Sequence, residues 1–289
     1  TKDVSNIDYF GEPAYTYSLK QGIEDGFLAP YQVVRVKPNV DVYGWRPHAG
    51  AVDDNGELIS DRVYEKQDFD RELVIKERTE VVAKKITQFL KETDRYSKTI
   101  VFCVDIDHAE RMREAIVKEH PTYIMRITGD SKEGKAKLDE FIDPDEKYPT
   151  IVTTSKLLTT GVNCKTCKLV VLDNVYGEQG MTEFKQIVGR GTRICEPYGK
   201  LYFTILDFRD ASRMFADPAF DGEPVQVFEP APDGPMVPDT DEPDSPPDVS
   251  PLPNPDNVLD DGEMGIDGKR VKYYVHGVPV EIASERVEY

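Results

Sequence analysis

Long hydrophobic runs are absent from this chain. Nowhere do apolar residues approach the roughly 18–20 in succession that an α-helical membrane span requires. The amino terminus, Thr1-Lys2-Asp3-Val4-Ser5-Asn6, lacks the basic-then-apolar pattern of a secretory signal. It also lacks an initiator methionine, so the chain is expected to begin inside a longer protein. Cysteine is scarce: Cys103, Cys164, Cys167 and Cys195 are too few for a disulfide framework in 289 residues, and a reducing cytoplasm is the expected compartment. Cys164 and Cys167 have the spacing of half a zinc site, but no second pair accompanies them, so a plain loop is expected and no metal site is assigned. The four histidines fall in no ligand spacing. Basic charge is short as well. The formal net charge is −18, which argues against a global field attracting nucleic acid. The acidic excess is local, however. Residues 221–268 hold 14 Asp and Glu and neither Lys nor Arg, leaving the rest near neutrality, so any contact with a polyanion must come from a local patch. Two motifs are missing altogether: a Gly-x-x-x-x-Gly-Lys-Ser/Thr phosphate loop and an Asp-Glu-x-His magnesium motif.

Four regions are expected. Residues 1–77 carry a helix in which Ser18 is a candidate N-cap and Leu19, Ile23 and Phe27 share one face. Pro30 ends it, Tyr31 to Val36 reads as a strand, and residues 37–70 read as a hairpin or long loop. Residues 78–215 alternate strand and helix signals. Strands are expected at 99–104, 123–127, 150–154, 168–172 and 201–206, and a helix that Thr182 could cap runs to about Ile194. Continuous apolar strands separated by helices of about ten residues imply right-handed crossovers and a parallel sheet, an α/β fold. Residues 216–268, rich in proline and acid, read as an extended linker. Residues 269–289 begin with a predicted β-hairpin, Val271 to Val275 and Val278 to Ile282 around His276-Gly277.

The most informative run is Gln186-Ile187-Val188-Gly189-Arg190-Gly191-Thr192-Arg193. On a helix, Gln186, Gly189, Arg190 and Arg193 would share a face. Gly189 would let that face approach another surface, and the two guanidiniums would offer rigid donors to phosphate oxygens. The bland alternative is a solvated basic helix end. A second run, Thr153-Thr154-Ser155-Lys156-Leu157-Leu158-Thr159-Thr160-Gly161-Val162-Asn163, brings a buried strand into a hydroxyl cluster, where phosphates could be held at the carboxyl edge of the sheet. Its alternative is a polar loop with capping residues. Thr128-Gly129-Asp130 comes after another strand in the same way.

Thr99 to Asp107, a buried strand and polar turn opening a helix, resembles the fourth motif of superfamily 2 helicases and translocases; residues 153–163 resemble the fifth and residues 186–193 the last, in the family's order and spacing, while Thr128-Gly129-Asp130 matches a position where such lobes touch DNA phosphates. The resemblance implies a RecA-like second motor lobe. Residues 9–31, from Tyr9-Phe10-Gly11-Glu12 through Gly26-Phe27-Leu28-Ala29-Pro30-Tyr31, resemble the segment joining the two motor lobes in restriction subunits of type I restriction-modification enzymes; the hairpin at 271–282 resembles the region beyond the motor in that family. That resemblance implies catalytic roles for Arg190, Arg193 and Gln186, nucleotide contacts at Gly161, Asn163 and Gly189, and DNA-backbone contacts at Thr128, Gly129, Thr153, Thr154, Ser155, Thr159 and Thr160. The family often has Asp where Asn163 stands. It further implies ATP and Mg²⁺ bound mainly by a first lobe outside this chain, double-stranded DNA and the modification and specificity subunits as partners, and no activity for this segment alone. The guanidiniums are expected to project from the open rim of the sheet toward that nucleotide. Two other readings remain: a different superfamily 2 motor such as a repair translocase, and a non-catalytic module that binds a partner protein through the acidic linker and the hairpin.

Overall fold

The computed structural model describes residues 18–119, 124–130, 132–155, 164–174, 180–216, 224–238 and 272–283. The first helix, α1 (Leu19–Glu24), opens with a reciprocal cap: the Gln21 N–H donates to the Ser18 hydroxyl at 3.1 Å, and the Ser18 N–H donates to the Gln21 side chain at 3.0 Å. Leu19 and Ile23 pack on the core, but the helix stops at Glu24 and Phe27 lies beyond it, exposed. The apolar face expected of Leu19, Ile23 and Phe27 is therefore one turn shorter than the periodicity suggests.

In chain order there follow β1 (Tyr31–Arg35), α2 (Asn39–Tyr43), β2 (Leu73–Ile75), α3 (Lys76–Glu92), β3 (Lys98–Cys103), α4 (Ile106–Glu119), β4 (Ile124–Arg126), α5 (Lys132–Ala136), α6 (Leu138–Ile142), β5 (Ile151–Thr154), β6 (Cys167–Asp173), α7 (Met181–Gly191), β7 (Phe203–Asp207), β8 (Gln226–Phe228) and β9 (Tyr273–Val275). Seven strands form one sheet in the order β4-β5-β3-β6-β7-β1-β8, every pairing parallel. Alternate residues feed two apolar layers, as the two-residue strand period requires. Ile100, Phe102, Val170, Leu172 and Val33 face a layer that includes Phe184, Ile187 and Val188 of α7. Val101, Cys103, Leu169, Val171 and Val34 face the layer built by α3 and α4, with Val82, Ile86, Met112 and Ile116. Burial on both faces explains why these strands read as continuous apolar runs.

Three regional expectations are corrected. Residues 37–70 form neither a single hairpin nor a bare loop. They hold α2, the antiparallel bridges Trp45–Tyr64 and Val52–Leu58, and a small core of their own in which Val40, Ala51, Ile59, Tyr64 and Phe69 pack with Leu73, Ile75, Val275 and Val278. The expected hairpin at 271–282 does not form: β9 pairs in parallel with β2, and Ile282 bridges Pro38. Its apolar residues find distant partners because residues 37–75 supply a ready-made apolar surface. Finally, the acidic segment is not wholly a linker. β8 extends the main sheet beside β1, and residues 232–236 dock on α3, with Lys85 Nζ donating to the Pro232 oxygen at 2.8 Å and Met236 fully buried. Four apolar anchors, Val227, Phe228, Met236 and Val237, fix the described residues 226–237 of a segment whose average composition predicts disorder.

Among the described residues no helix is long and apolar enough to cross a membrane.

Candidate nucleotide and nucleic-acid site

Helix α7 presents Phe184, Ile187, Val188 and Gly191 to the core. Gln186, Gly189 and Arg190 are left half-buried on its outer sides. Arg190 reaches back one turn, its Nε donating to the Gln186 oxygen at 3.2 Å. The helix ends at Gly191, earlier than the expected Ile194, and Gly180 rather than Thr182 occupies the N-cap position. Arg193 consequently lies beyond the helix. It forms an antiparallel bridge with Leu28 and is exposed. Arg190 and Arg193 are thus neighbours in space without sharing a helical face. Burial and then the nearby Arg193 charge hold the Arg190 guanidinium below its ordinary value, the signature of two cations brought together.

The position of this pair is set by lengths. An eleven-residue helix leaving the carboxyl end of β6 runs back about 16 Å. A five-residue strand covers about the same distance. The end of α7 therefore meets the amino edge of the sheet. There the Ala29 N–H donates to the Thr192 oxygen at 2.7 Å, and Lys200 Nζ donates to the Gly191 oxygen at 2.6 Å. A Cβ on Gly191 would lie 2.1 Å from the ring of Phe203, the first residue of β7. Close approach is thus the property of Gly191; a Cβ on Gly189 would meet nothing within 4 Å.

The other described candidates lie at the opposite rim. Thr153 and Thr154 end β5, but both side chains are fully buried. The Thr128 hydroxyl is also buried and is engaged by Arg126 Nη1 at 3.0 Å. Gly129 is exposed and Ser155 half-buried, so these two are the more accessible members of the set. Thr159, Thr160, Gly161 and Asn163 fall outside the described residues. The sheet separates the arginine pair from the described members of the hydroxyl set, Thr128, Thr153, Thr154 and Ser155. One shared rim is the simpler expectation, but the crossover helix carries the arginines to the other edge.

A feature that sequence reasoning misses occupies the carboxyl edge. Asp173, at the end of β6, receives Arg78 Nη2 at 2.9 Å and Arg209 Nε at 2.8 Å. Arg78 also binds both oxygens of Asp41 at 2.7 Å, and Arg209 Nη2 reaches Asp70 at 2.5 Å. The Val104 N–H donates to His108 Nδ1 at 3.2 Å, which leaves Nε2, 3.3 Å from Asp173, as the proton-bearing nitrogen. Burial alone would raise the Asp70 and Asp173 carboxyls. The surrounding cations outweigh it: His108, Arg209, Arg78 and Arg111 around Asp70, and Arg78, Arg209 and His108 around Asp173, hold both well below the usual range. This cluster rivets residues 41–78 to the sheet. A carboxylate ending an apolar strand, as in Leu169-Val170-Val171-Leu172-Asp173, is the signal that could have found it.

Cys164 and Cys167 are buried, and burial pushes both thiols up, Cys167 to about 12. Among the described residues no three His, Cys, Asp or Glu side chains gather as metal ligands.

Residues 81–195 match the helicase conserved C-terminal domain family. Along its whole length the chain is 52% identical to the EcoAI endonuclease subunit of a type I restriction enzyme from Escherichia coli, of which it spans 38%. It is 33% identical over 73% of its length to the EcoKI endonuclease subunit of E. coli K12, spanning 19% of that protein. A solved fragment of an HsdR subunit of a type I restriction enzyme from Vibrio vulnificus YJ016 matches 77% of the chain and 40% of that fragment, at 46% identity and a TM-score of 0.62.

Proposed function

We propose, on the premise that this chain belongs to the endonuclease subunits of type I restriction enzymes and carries their RecA-like helicase C-terminal lobe, that it acts as the second motor lobe of an ATP-driven DNA translocase. In this reading Arg190 and Arg193 face a nucleotide held by another lobe of the intact subunit. Their guanidiniums stabilise the charge that develops on the γ-phosphate as it is transferred. Gln186, whose main-chain oxygen anchors Arg190, positions the nucleotide or the attacking water. ATP and Mg²⁺ belong to the intact enzyme and are held mainly by its other lobe, with the arginines of this lobe facing the triphosphate. Gly129 and Ser155, at the opposite rim, are the described candidates for contacts to the backbone of double-stranded DNA, with Thr128, Thr153 and Thr154 supporting them from the interior. Such contacts read phosphates rather than bases, so sequence choice falls to the specificity subunit of the same system. The assembly is placed in the cytoplasm, together with its modification subunit.

The observation that carries this reading is the pair of cations at the amino edge. Arg190 is half-buried with Arg193 close by, and burial, then the Arg193 charge, lower its guanidinium, so the two form a pair of donors that a phosphate could bridge. Because nucleotide and DNA would meet opposite edges of one rigid sheet, a shift of the lobe at one edge must move the other. The test is DNA-stimulated ATP hydrolysis by the intact subunit. Arg190→Ala or Arg193→Ala should lower the rate by about 10³–10⁵, as removal of an arginine of this class does. Near-normal turnover would refute the role.

A further inference from the structure

Lys200 lies in the interior, yet among the described residues no carboxylate pairs with it. It is fully buried, and its Nζ donates to the main-chain oxygen of Gly191, the last residue of α7, at 2.6 Å. An ammonium group withdrawn from water without a counter-charge is costly. Burial is indeed the largest influence on it and lowers its proton affinity; the charge of Arg193 lowers it further. A side chain held at such a cost has a specific task, and its placement names one.

The last carbonyls of a helix have no partner within the helix, and a cation there also meets the negative end of the helix dipole. Lys200 satisfies the Gly191 oxygen on the residue directly after Arg190 and two before Arg193. Its own main chain is fixed by the antiparallel bridge between Cys195 and Lys200, with N–H···O distances of 2.9 and 3.1 Å. On the other side the Phe203 ring occupies the space a Cβ of Gly191 would need, and the Ala29 N–H holds the Thr192 oxygen. The backbone between the two arginines is thus clamped from three directions, and only the Lys200 clamp is charged.

We propose that Lys200 is a positioning residue for the arginine pair: by capping α7 at Gly191 it sets where the Arg190 and Arg193 guanidiniums stand relative to the phosphate they serve, and it adds a third positive charge behind them. The inference rests on the nucleotide-facing role of those arginines. Lys200 itself is inside the lobe and touches no substrate; it acts through the helix end.

The experiment compares Lys200→Met with Met112→Ala and Arg190→Ala in the intact subunit, measuring DNA-stimulated kcat and KM for ATP together with the unfolding temperature. Met112→Ala opens a cavity in the α3–α4 layer, on the opposite face of the sheet from α7, and so lowers stability without touching the seat of the arginines. Misplacing a catalytic group by about 1 Å costs on the order of 10²-fold in rate. Lys200→Met should therefore lower kcat by roughly 10- to 100-fold with KM for ATP within about twofold, whereas Met112→Ala, though destabilised, should keep its kcat. Should Lys200→Met fail to fold, Lys200→Gln, which retains an N–H donor but no charge, should show a smaller loss confined to kcat. An unchanged kcat in the Lys200 variants, or losses that track unfolding temperature equally in Met112→Ala, would overturn the inference. Near-normal turnover in Arg190→Ala would instead remove the arginine role on which it rests.

Discussion

Replacing Arg78 by methionine isolates the largest electrostatic commitment in the fold. Arg78 is 1% exposed, and its guanidinium reaches Asp41 twice at 2.7 Å and Asp173 at 2.9 and 3.3 Å. Around it three buried carboxylates, Asp41, Asp70 and Asp173, face Arg78, Arg209 and the partly covered Arg111. The three arginines balance the three carboxylates. Methionine fills a similar volume but leaves one negative charge uncompensated in the interior. Removing one partner of a buried pair typically costs about 3–5 kcal/mol. Each kcal/mol moves the midpoint of a lobe of roughly 200 residues by about 2–4 °C. Thermal unfolding followed by circular dichroism should therefore show a fall of roughly 6–20 °C. The Leu73–Ile75 and Tyr273–Val275 pairing should become protease-sensitive first, because residues 41–78 are what the cluster holds down. A shift below about 2 °C would mean that solvent or a rearranged Arg209 replaces the lost charge, and would refute the uncompensated buried carboxylate.

Other consequences are simpler. Gly191→Ala should destabilise the lobe by about 1–3 kcal/mol, because the new Cβ displaces the Phe203 ring. Gly189→Ala, with nothing within 4 Å of its Cβ, should stabilise the helix by about 0.5–1 kcal/mol in chemical denaturation; an ATPase loss in that more stable variant would locate the approach of another lobe. Asp70 and Asp173 are held below their unfolded values, so their contribution is complete above about pH 4 and is lost as pH falls below it. Asp207, raised by burial, works with the opposite sign and softens this loss; a lobe no less stable at pH 3 than at pH 6 would contradict the balance. Thiol titration of the native chain at pH 8 should modify Cys195 rapidly and Cys103, Cys164 and Cys167 only on unfolding, since burial raises all three of the latter. Fast reaction at a second cysteine would show that the interior around β3 and β6 opens in the native state.

The parallel sheet is legible because its strands are buried on both faces, so Thr99 to Val104 and Lys168 to Leu172 announce themselves as apolar runs. The spacing of Gln186, Gly189, Arg190 and Arg193 identifies the arginine pair. It does not reveal that α7 stops at Gly191, where contacts from outside the helix gather: Lys200 and Phe203 from the following turn and strand, and Ala29 from far upstream. Nor can spacing choose the edge of the sheet; that depends on the length of the crossover helix. Residues 37–70 and 272–283 resist reading for a related reason. Each has a weak local pattern, and each acquires its structure from the other, with Val275 and Val278 completing the small core around Tyr64 and Phe69. Composition hides the docking of Val227 and Met236 within a segment rich in proline and acid. The buried ion cluster draws on Asp41, Asp70, Arg78, His108, Asp173 and Arg209, far apart in sequence and each unremarkable alone.

A structure of the intact subunit with a non-hydrolysable ATP analogue and duplex DNA puts the central claim to its most direct test. The predicted result is a γ-phosphate at the amino edge of this sheet, within hydrogen-bond distance, about 3 Å, of the Arg190 or Arg193 guanidinium, and the DNA backbone across the sheet near Gly129 and Ser155. A nucleotide seated against the carboxyl edge, or arginines turned away from it with the lobes closed, would contradict the motor role.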